Sequence, residues 1–191
     1  MSSVAETLAL WRSLVKNPRF LIVYGEKFAS GYSDKGLGYA IDVDNLPTFT
    51  DEELARAVES GKSIAIPTGR LSDNIVDIEF DPCETLGSEI AAKKWLAENL
   101  SRLESLQTIV LRSPRFGFHV LARSRSDSLD LSAVTDWLLI LAEDSPRIDG
   151  ELAIRPDVIH FNGSPRPHYV ILPSDGNGRE YLTKCRSVRT I

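Results

Sequence analysis

The chain has 191 residues, of which 42% are hydrophobic, enough to bury the core of one domain or of one domain with a small subdomain. Its net charge of -5 excludes a surface that is basic throughout, so any contact with nucleic acid has to be local. Cys83 and Cys185 lie far apart, without further Cys or His at ligand spacing. This argues against a disulfide framework, a structural zinc site and redox chemistry.

The longest apolar runs are too short to cross a bilayer, and the N-terminus lacks the basic and apolar stretches of a signal peptide. We therefore expect a cytoplasmic protein that has no membrane partner.

Apolar spacing and cap residues predict alternating helices and strands along the chain. From the N-terminus we predict a helix over residues 4–15, a strand over 20–24, a loop over 25–38, a helix from Thr50 to Gly61 with a Thr50–Glu53 capping box, and strands over 64–66 and 74–80. We next predict a helix with Ala92, Leu96, Leu100 and Leu103 on one face, and a hairpin of strands over 108–112 and 117–123. The last predicted elements are a helix over 132–142, strands over 151–155 and 169–172, and a loop at Asn162–Pro165.

This order of elements predicts an α+β fold with a mainly antiparallel sheet flanked by helices. No repeat or low-complexity linker divides the sequence, so we interpret residues 1–191 as a single domain. Within it we expect an N-terminal α/β subdomain over 1–73, a core with the functional site over 74–174, and a C-terminal tail over 175–191.

Carboxylates alternate with apolar residues along the strand predicted at 74–80. Asp77, Glu79 and Asp81 share one face of this strand, and the apolar residues between them share the other. Neighbouring carboxylates repel each other unless a divalent cation neutralises them, and oxygen ligands suit Mg²⁺ or Mn²⁺. The same pattern is typical of a solvent-facing acidic strand edge, so it leaves both interpretations open.

A second group of polar residues surrounds the predicted hairpin turn. Ser113, Arg115 and His119 combine a hydroxyl, a guanidinium and an imidazole with the exposed N–H groups of the turn. Such groups together bind a triphosphate, and arginine supplies bidentate contacts. For His119 alone, an ordinary hydrogen-bonded histidine is the alternative.

In this order, Ile75–Glu79 and Ser113–His119 resemble the first two motifs of the archaeo-eukaryotic primase superfamily, in the primase-polymerase type found in plasmid and viral replication proteins. Ile64–Arg70 and Tyr169–Ser174 are similar to further segments of these proteins, so the resemblance covers about Gly61 to Ser174. It implies an RRM-like core and a nucleotidyltransferase that acts as DNA primase and DNA polymerase. It also implies two Mg²⁺ or Mn²⁺ ions, and we expect no zinc.

The third motif of the family departs from its usual pattern in this chain. Family members have an aspartate where superposition on Ile154-Arg155 places Ala153. Glu151 and Asp149 share the face of Ala153 on an extended strand, so we choose Glu151 as the third metal ligand and keep Asp149 as the reserve. Arg155 lies on the same face and is our further candidate for the triphosphate.

The resemblance implies a DNA template and primer as partners, NTP or dNTP as substrates, and a C-terminal helical or helicase domain in the full-length protein. No such domain follows Ser174, so we expect a catalytic fragment of a larger replication protein. Arg123 and Arg125 are candidates for the groove that holds the template, whereas His160 and His168 are interpreted as surface histidines.

Two other functions remain open. If neither candidate third acid reaches the metals, the chain is a nucleic-acid-binding module without catalysis. A rolling-circle initiator nuclease needs a pair of histidines around one hydrophobic residue and a tyrosine on a helix. The chain lacks that pair, and Tyr169 and Tyr181 lie outside helical patterns.

Overall fold

A computed structural model describes residues 3–24, 28–29, 46–80, 82–125, 158–161, 164–167 and 169–191. The chain divides into two compact units, Met1–Asn74 with Arg155–Gly178 and Ile75–Ile154 with Arg179–Ile191. The elements predicted over 132–142 and 151–155 lie outside the described residues.

The described residues form helices and short strands, so the fold is α+β. In chain order the elements are α1 (Val4–Leu14), β1 (Leu21–Tyr24), β2 (Phe28–Ala29), α2 (Asp51–Glu59), β3 (Ser63–Pro67), a 3-10 turn (Arg70–Ser72), β4 (Ile75–Phe80), α3 (Pro82–Leu86), α4 (Glu89–Ser105), β5 (Val110–Arg112), β6 (Phe118–Arg123), β7 (Val158–Phe161), β8 (Ser164–Pro167), β9 (Tyr169–Ile171), β10 (Glu180–Tyr181) and β11 (Arg189–Thr190). Bounds predicted for described elements agree to within two residues. The prediction of a loop over 25–38 is wrong at Phe28–Ala29, which form strand β2.

The first unit contains an antiparallel sheet in the order β2-β1-β3-β9. Helix α2 begins with the predicted capping box, in which Thr50 and Glu53 each accept a hydrogen bond from the other's backbone N–H. Strands β3 and β9 are about a hundred residues apart in sequence, yet Ala65 pairs with Ile171. The two segments of this unit that resemble primase-polymerases, Ile64–Arg70 and Tyr169–Ser174, are therefore neighbours in one sheet.

The prediction of a loop at Asn162–Pro165 is wrong at its last two residues. Ser164 and Pro165 were expected in a loop, but they begin β8, which pairs antiparallel with β7. Proline has no N–H to donate, and it is tolerated in a strand where no ladder bond is required of it. A two-stranded hairpin offers such positions, so proline is a poor indicator of a loop here.

The second unit is built around β6. Strand β4 pairs antiparallel with the whole of β6, and β5 pairs antiparallel with its first half. Strand β11 pairs parallel with the last two residues of β6, and β10 pairs antiparallel with β5. The segment 175–191, which was interpreted as a tail, thus contributes two strands to this sheet.

One face of this sheet packs on helix α4. From the strands, this face contains Val76, Ile78 and Phe80 of β4, Val110 of β5, and Phe118, Val120 and Ala122 of β6, as the alternation along β4 predicted. Phe118 stacks on Phe80 at a centroid distance of 4.7 Å and on Trp95 of α4 at 5.7 Å. All three aromatic side chains are buried, so the face opposite the acidic residues is fixed to the core.

The buried face of α4 differs from the prediction at one position. Ala92, Leu96 and Leu103 are buried, but Leu100 is 40% exposed. Asn99 takes its place, and its Nδ2 donates to the Trp95 carbonyl at 2.9 Å, which satisfies the buried amide within the helix. The spacing of apolar residues could not predict that Asn99 is buried in place of Leu100, because Asn usually lies on the protein surface.

Among the described parts of the chain, no helix combines the length and the apolar character that crossing a membrane requires.

Substitution of Phe118 by Ala should lower the free energy of unfolding by about 3–5 kcal/mol, because it removes a buried ring stacked on two others. Ile90→Ala is the matched control, since Ile90 is exposed on α4. Urea denaturation followed by tryptophan fluorescence measures both. A cost below 1 kcal/mol for Phe118→Ala would contradict this packing.

Candidate metal centre

Two acidic side chains project from β4 on the face opposite α4. Asp77 is buried and Glu79 is half-buried. The register of β4 with β6 places Glu79 opposite His119 and Asp77 opposite Leu121. Residues that face each other in an antiparallel pair lie on the same side of the sheet, so both carboxylates and the imidazole share one face.

The three side chains meet closely on this face. His119 Nδ1 lies 3.0 Å and 3.2 Å from the two carboxylate oxygens of Asp77. Asp77, Glu79 and His119 each offer one ligand atom, and these atoms all lie within 4.8 Å of one another. We call these three residues the carboxylate–histidine cluster.

The charges around His119 decide its protonation. Burial of the ring alone lowers the pKa of His119, and the positive charge of Arg179 lowers it further. The charge and hydrogen bond of Asp77, assisted by Glu79, outweigh both and raise the pKa above its ordinary value of 6.5. Nδ1–H therefore donates to Asp77, and a proton on the ring partly balances the two carboxylates.

The donor set of the cluster fits a divalent cation. Only 1% of the Asp77 side chain and 12% of the His119 side chain are exposed, so water screens their charges poorly. Two carboxylates suit Mg²⁺ and Mn²⁺, and the imidazole nitrogen favours Mn²⁺ over Mg²⁺. Zinc also accepts this combination of ligands, so the expectation of no zinc, which rested on the cysteines, stays a prediction.

The turn between β5 and β6 follows the predicted hairpin. Ser113 N–H donates to the Gly117 carbonyl at 2.7 Å, and Phe116 N–H donates to the Ser113 carbonyl at 3.1 Å. Phe116 has a φ of 61°, a conformation that costs a non-glycine residue about 1–2 kcal/mol. Its ring packs against the core and lies 5.0 Å below the Arg112 guanidinium, which holds the turn in this shape.

The arginines of this turn form ion pairs. Arg112 Nε lies 2.6 Å from Glu180 of β10. Arg115 is 70% exposed, and its Nε lies 3.7 Å from Glu89 in the first turn of α4. The structure therefore brings His119 into the cluster, whereas Arg115 contacts the helix layer. The role of Ser113 and Arg115 in binding a triphosphate stays a prediction.

One charged neighbour of the cluster was missed by sequence reasoning. Arg179 immediately precedes β10, and its charge acts on His119. The pairing of Glu180 with Arg112 places Arg179 at the level of Ser113. No local motif indicates this, because the contact depends on a strand pair between residues almost seventy positions apart.

Several residues named in the sequence analysis lie outside the described residues, namely Asp81, Asp149, Glu151, Arg155 and His168. His160 lies in β7. The third metal ligand therefore stays a prediction.

A rolling-circle nuclease requires a tyrosine on a helix, and neither tyrosine considered for this role lies on one. Tyr169 lies in β9 and Tyr181 lies in β10. A tyrosine in a strand has a different reach from the helical nucleophile of that class, so neither residue supports the alternative.

A scan against protein-family models and a search of the curated proteins gave no match for this chain. The resemblance to primase-polymerases therefore depends on the short motifs alone.

In the absence of metal, an NMR titration should show His119 with a pKa above 6.5, and Asp77→Asn should lower it. The substitution removes the main interaction that favours the proton, while burial still opposes it. Because folding raises this pKa, protonated His119 stabilises the fold below pH 6.5, and the contribution disappears as pH rises through the folded-state pKa. An unchanged pKa of His119 in Asp77→Asn would contradict the contact between the two side chains. Glu98→Gln on α4 is the control and should leave the pKa of His119 as it is in the native chain.

Mn²⁺ should bind the native chain, because the cluster offers two carboxylates close together. Asp77→Asn combined with Glu79→Gln should lower the affinity for Mn²⁺ at least about tenfold, since it removes both carboxylates of the cluster. Electron paramagnetic resonance of free Mn²⁺ measures the binding. Glu98→Gln should bind like the native chain, and equal loss in this control would contradict a local site.

Proposed function

We propose that this chain is the catalytic core of a primase-polymerase that transfers nucleotides from NTP or dNTP to a primer on a DNA template. The carboxylate–histidine cluster is the observation that supports this proposal best. It joins the acidic strand and the serine-to-histidine turn, the two motifs that resemble the family, on one face of a largely antiparallel sheet. In this proposal that sheet is the RRM-like core of the family.

The metal-binding role belongs to the acids of the cluster. Asp77 and Glu79 would hold Mg²⁺ or Mn²⁺, with Glu151 as the predicted third carboxylate. When bound, such ions supply positive charge at the attacking 3′-hydroxyl and at the leaving pyrophosphate. Strand β4 keeps the two carboxylates in position, because its opposite face is packed on α4.

His119 has two nitrogens with different tasks in this proposal. Asp77 accepts from Nδ1, which fixes the orientation of the ring. Nε2 is then directed away from Asp77 and, when protonated, donates to a phosphate oxygen of the nucleotide. The imidazolium would neutralise part of the charge that develops during transfer. This role matches the sequence-based expectation that His119 contacts the triphosphate.

The turn at Ser113–Gly117 supplies further groups for the phosphates. It is short and internally hydrogen-bonded, and it leads directly into β6, the strand of His119. Ser113 contributes a hydroxyl, and Arg115 contributes a guanidinium that would exchange its exposed ion pair with Glu89 for a phosphate. Such an exchange costs little, because exposed ion pairs contribute at most about 1 kcal/mol. Arg155 is the predicted additional contact.

The charge balance explains why the proposed reaction requires metal. Two carboxylates within a few ångströms repel the phosphates of a nucleotide and of DNA. A divalent cation held by Asp77 and Glu79 would neutralise this charge, so that the phosphates could approach. A chain that binds nucleic acid without catalysis would not need this neutralisation.

Extension of a labelled primer on a DNA template tests the function. The native chain should extend the primer with Mn²⁺ or Mg²⁺, and Asp77→Asn with Glu79→Gln should reduce the rate by about a hundredfold or more, because charge stabilisation at the reacting phosphate is lost. NTP and dNTP are assayed separately.

Glu98→Gln serves as the control and should extend the primer at the native rate. A folded native chain that extends no primer with either metal, yet binds the template, would replace the polymerase with a nucleic-acid-binding module. Equal extension by the doubly substituted chain would show that another site performs the reaction.

A further inference from the structure

The C-terminal segment of the second unit is locally basic. Residues 179–191 contain four basic residues and one acidic residue, in a chain with a net charge of -5. The acidic residue, Glu180, is already paired with Arg112. The segment therefore carries a net positive charge.

Strand pairing aligns this segment with the cluster. Tyr181 pairs with Leu111, Leu111 pairs with His119, and His119 pairs with Glu79. Paired residues lie on one side of a sheet, so Tyr181 belongs to the face of the cluster and not to the face covered by α4. The backbones of Tyr181 and His119 are two strands apart, or about 10 Å.

The ring of Tyr181 is half-buried and has a cation beside it. The Arg186 guanidinium lies 4.6 Å from the ring centroid. Arg186 is exposed, and its Nη1 donates to the carbonyls of Thr183 and Cys185, the latter at 3.0 Å. These bonds hold the guanidinium in place on the ring, so the pair is preorganised before any ligand binds.

Arg179 adds a second cation on the cluster's side. It is two residues from Tyr181, so alternation along the strand gives both residues the same face. Its charge is felt at His119, which agrees with this placement. We call Arg179, Tyr181 and Arg186 the C-terminal strip.

We propose that the C-terminal strip binds single-stranded nucleic acid beside the carboxylate–histidine cluster, with Arg186 contacting a phosphate and Tyr181 stacking with a base. The choice of nucleic acid as the ligand rests on the proposed function, but the surface itself follows from register, contacts and charge. About 10 Å is the length of a few nucleotides. An unpaired template strand that passes the cluster therefore also reaches Tyr181.

The combination of groups is suited to a single strand. An aromatic ring stacks with any base, and arginine binds the backbone without reading sequence. A double helix buries the faces of its bases, so it would engage the arginines alone. The strip therefore favours an unpaired template over a duplex.

The test is fluorescence anisotropy of a labelled oligo-dT in EDTA, with the full chain and without nucleotide. Arg186→Gln and Tyr181→Leu should each weaken binding at least about fivefold, which is the lower end of the loss expected for one stacked base and a typical loss for one phosphate contact. Arg186→Gln should also reduce the slope of log affinity against log salt by about 0.7, whereas Tyr181→Leu should leave it unchanged. Tyr181→Phe keeps the ring and should bind like the native chain.

Lys94→Gln is the matched control, because it removes one exposed positive charge from α4 on the opposite face. It should leave affinity almost unchanged, and the melting temperature of each variant verifies folding. The proposal is overturned if folded Arg186→Gln and Tyr181→Leu bind like the native chain, if Lys94→Gln loses as much affinity, or if the native chain binds no oligonucleotide.

Failure of the strip and failure of the polymerase give different results. Asp77→Asn with Glu79→Gln should bind oligo-dT in EDTA at least as tightly as the native chain, because the strip needs no metal and the substitutions remove nearby negative charge. If the native chain binds oligo-dT through the strip but extends no primer, the polymerase proposal is wrong and the strip proposal stands. If the native chain extends the primer and the strip variants bind oligo-dT as it does, the strip proposal is wrong and the polymerase proposal stands.

Discussion

The contact between Asp77 and His119 is the interaction on which the arrangement of the second unit depends. A buried carboxylate has lost most of its hydration, which costs several kcal/mol unless other groups replace the water. His119 provides a hydrogen bond and, when protonated, a charge at 3.0 Å. A divalent cation would provide the same compensation more strongly and would bring Glu79 into the same coordination sphere.

The position of this contact follows from the two faces of β4. Alternation gives one face to the aromatic and aliphatic core on α4 and the other to the acids, so the packing of Phe80 and Phe118 also fixes Asp77 and Glu79. Strand β6 likewise has one face in the core and one in the cluster, since Phe118 packs in the core and His119 belongs to the cluster. The central place of β6 between β4 and β5 makes this geometry rigid, because neither of its edges is free along its first half.

Local patterns in the sequence were sufficient where the periodicity was strong. The alternation from Ile75 to Phe80 predicted both the strand and the acidic face, and the turn before Phe118 predicted the hairpin. Patterns failed where the outcome depends on distant partners. Asn99 is buried because it can bond to its own helix, and Ser164–Pro167 forms a strand because its hairpin demands few N–H donors. The pairing of β10 with β5 could not be inferred from two polar residues, so the neighbourhood of Arg179 and His119 was missed.

The proposed function requires a chain with a net charge of -5 to bind polyanions, so the positions of its cations matter. The C-terminal strip and the cluster are about one Debye length apart at 0.1 M salt, so their fields are only partly screened from each other. In the proposed function, the carboxylates without metal weaken the attraction of the strip for phosphates, and a divalent cation held by Asp77 and Glu79 would cancel that repulsion. Binding of the cation and binding of the strand would then favour each other, as linkage requires. The acidic strand would thus make phosphate binding beside His119 depend on the bound ion.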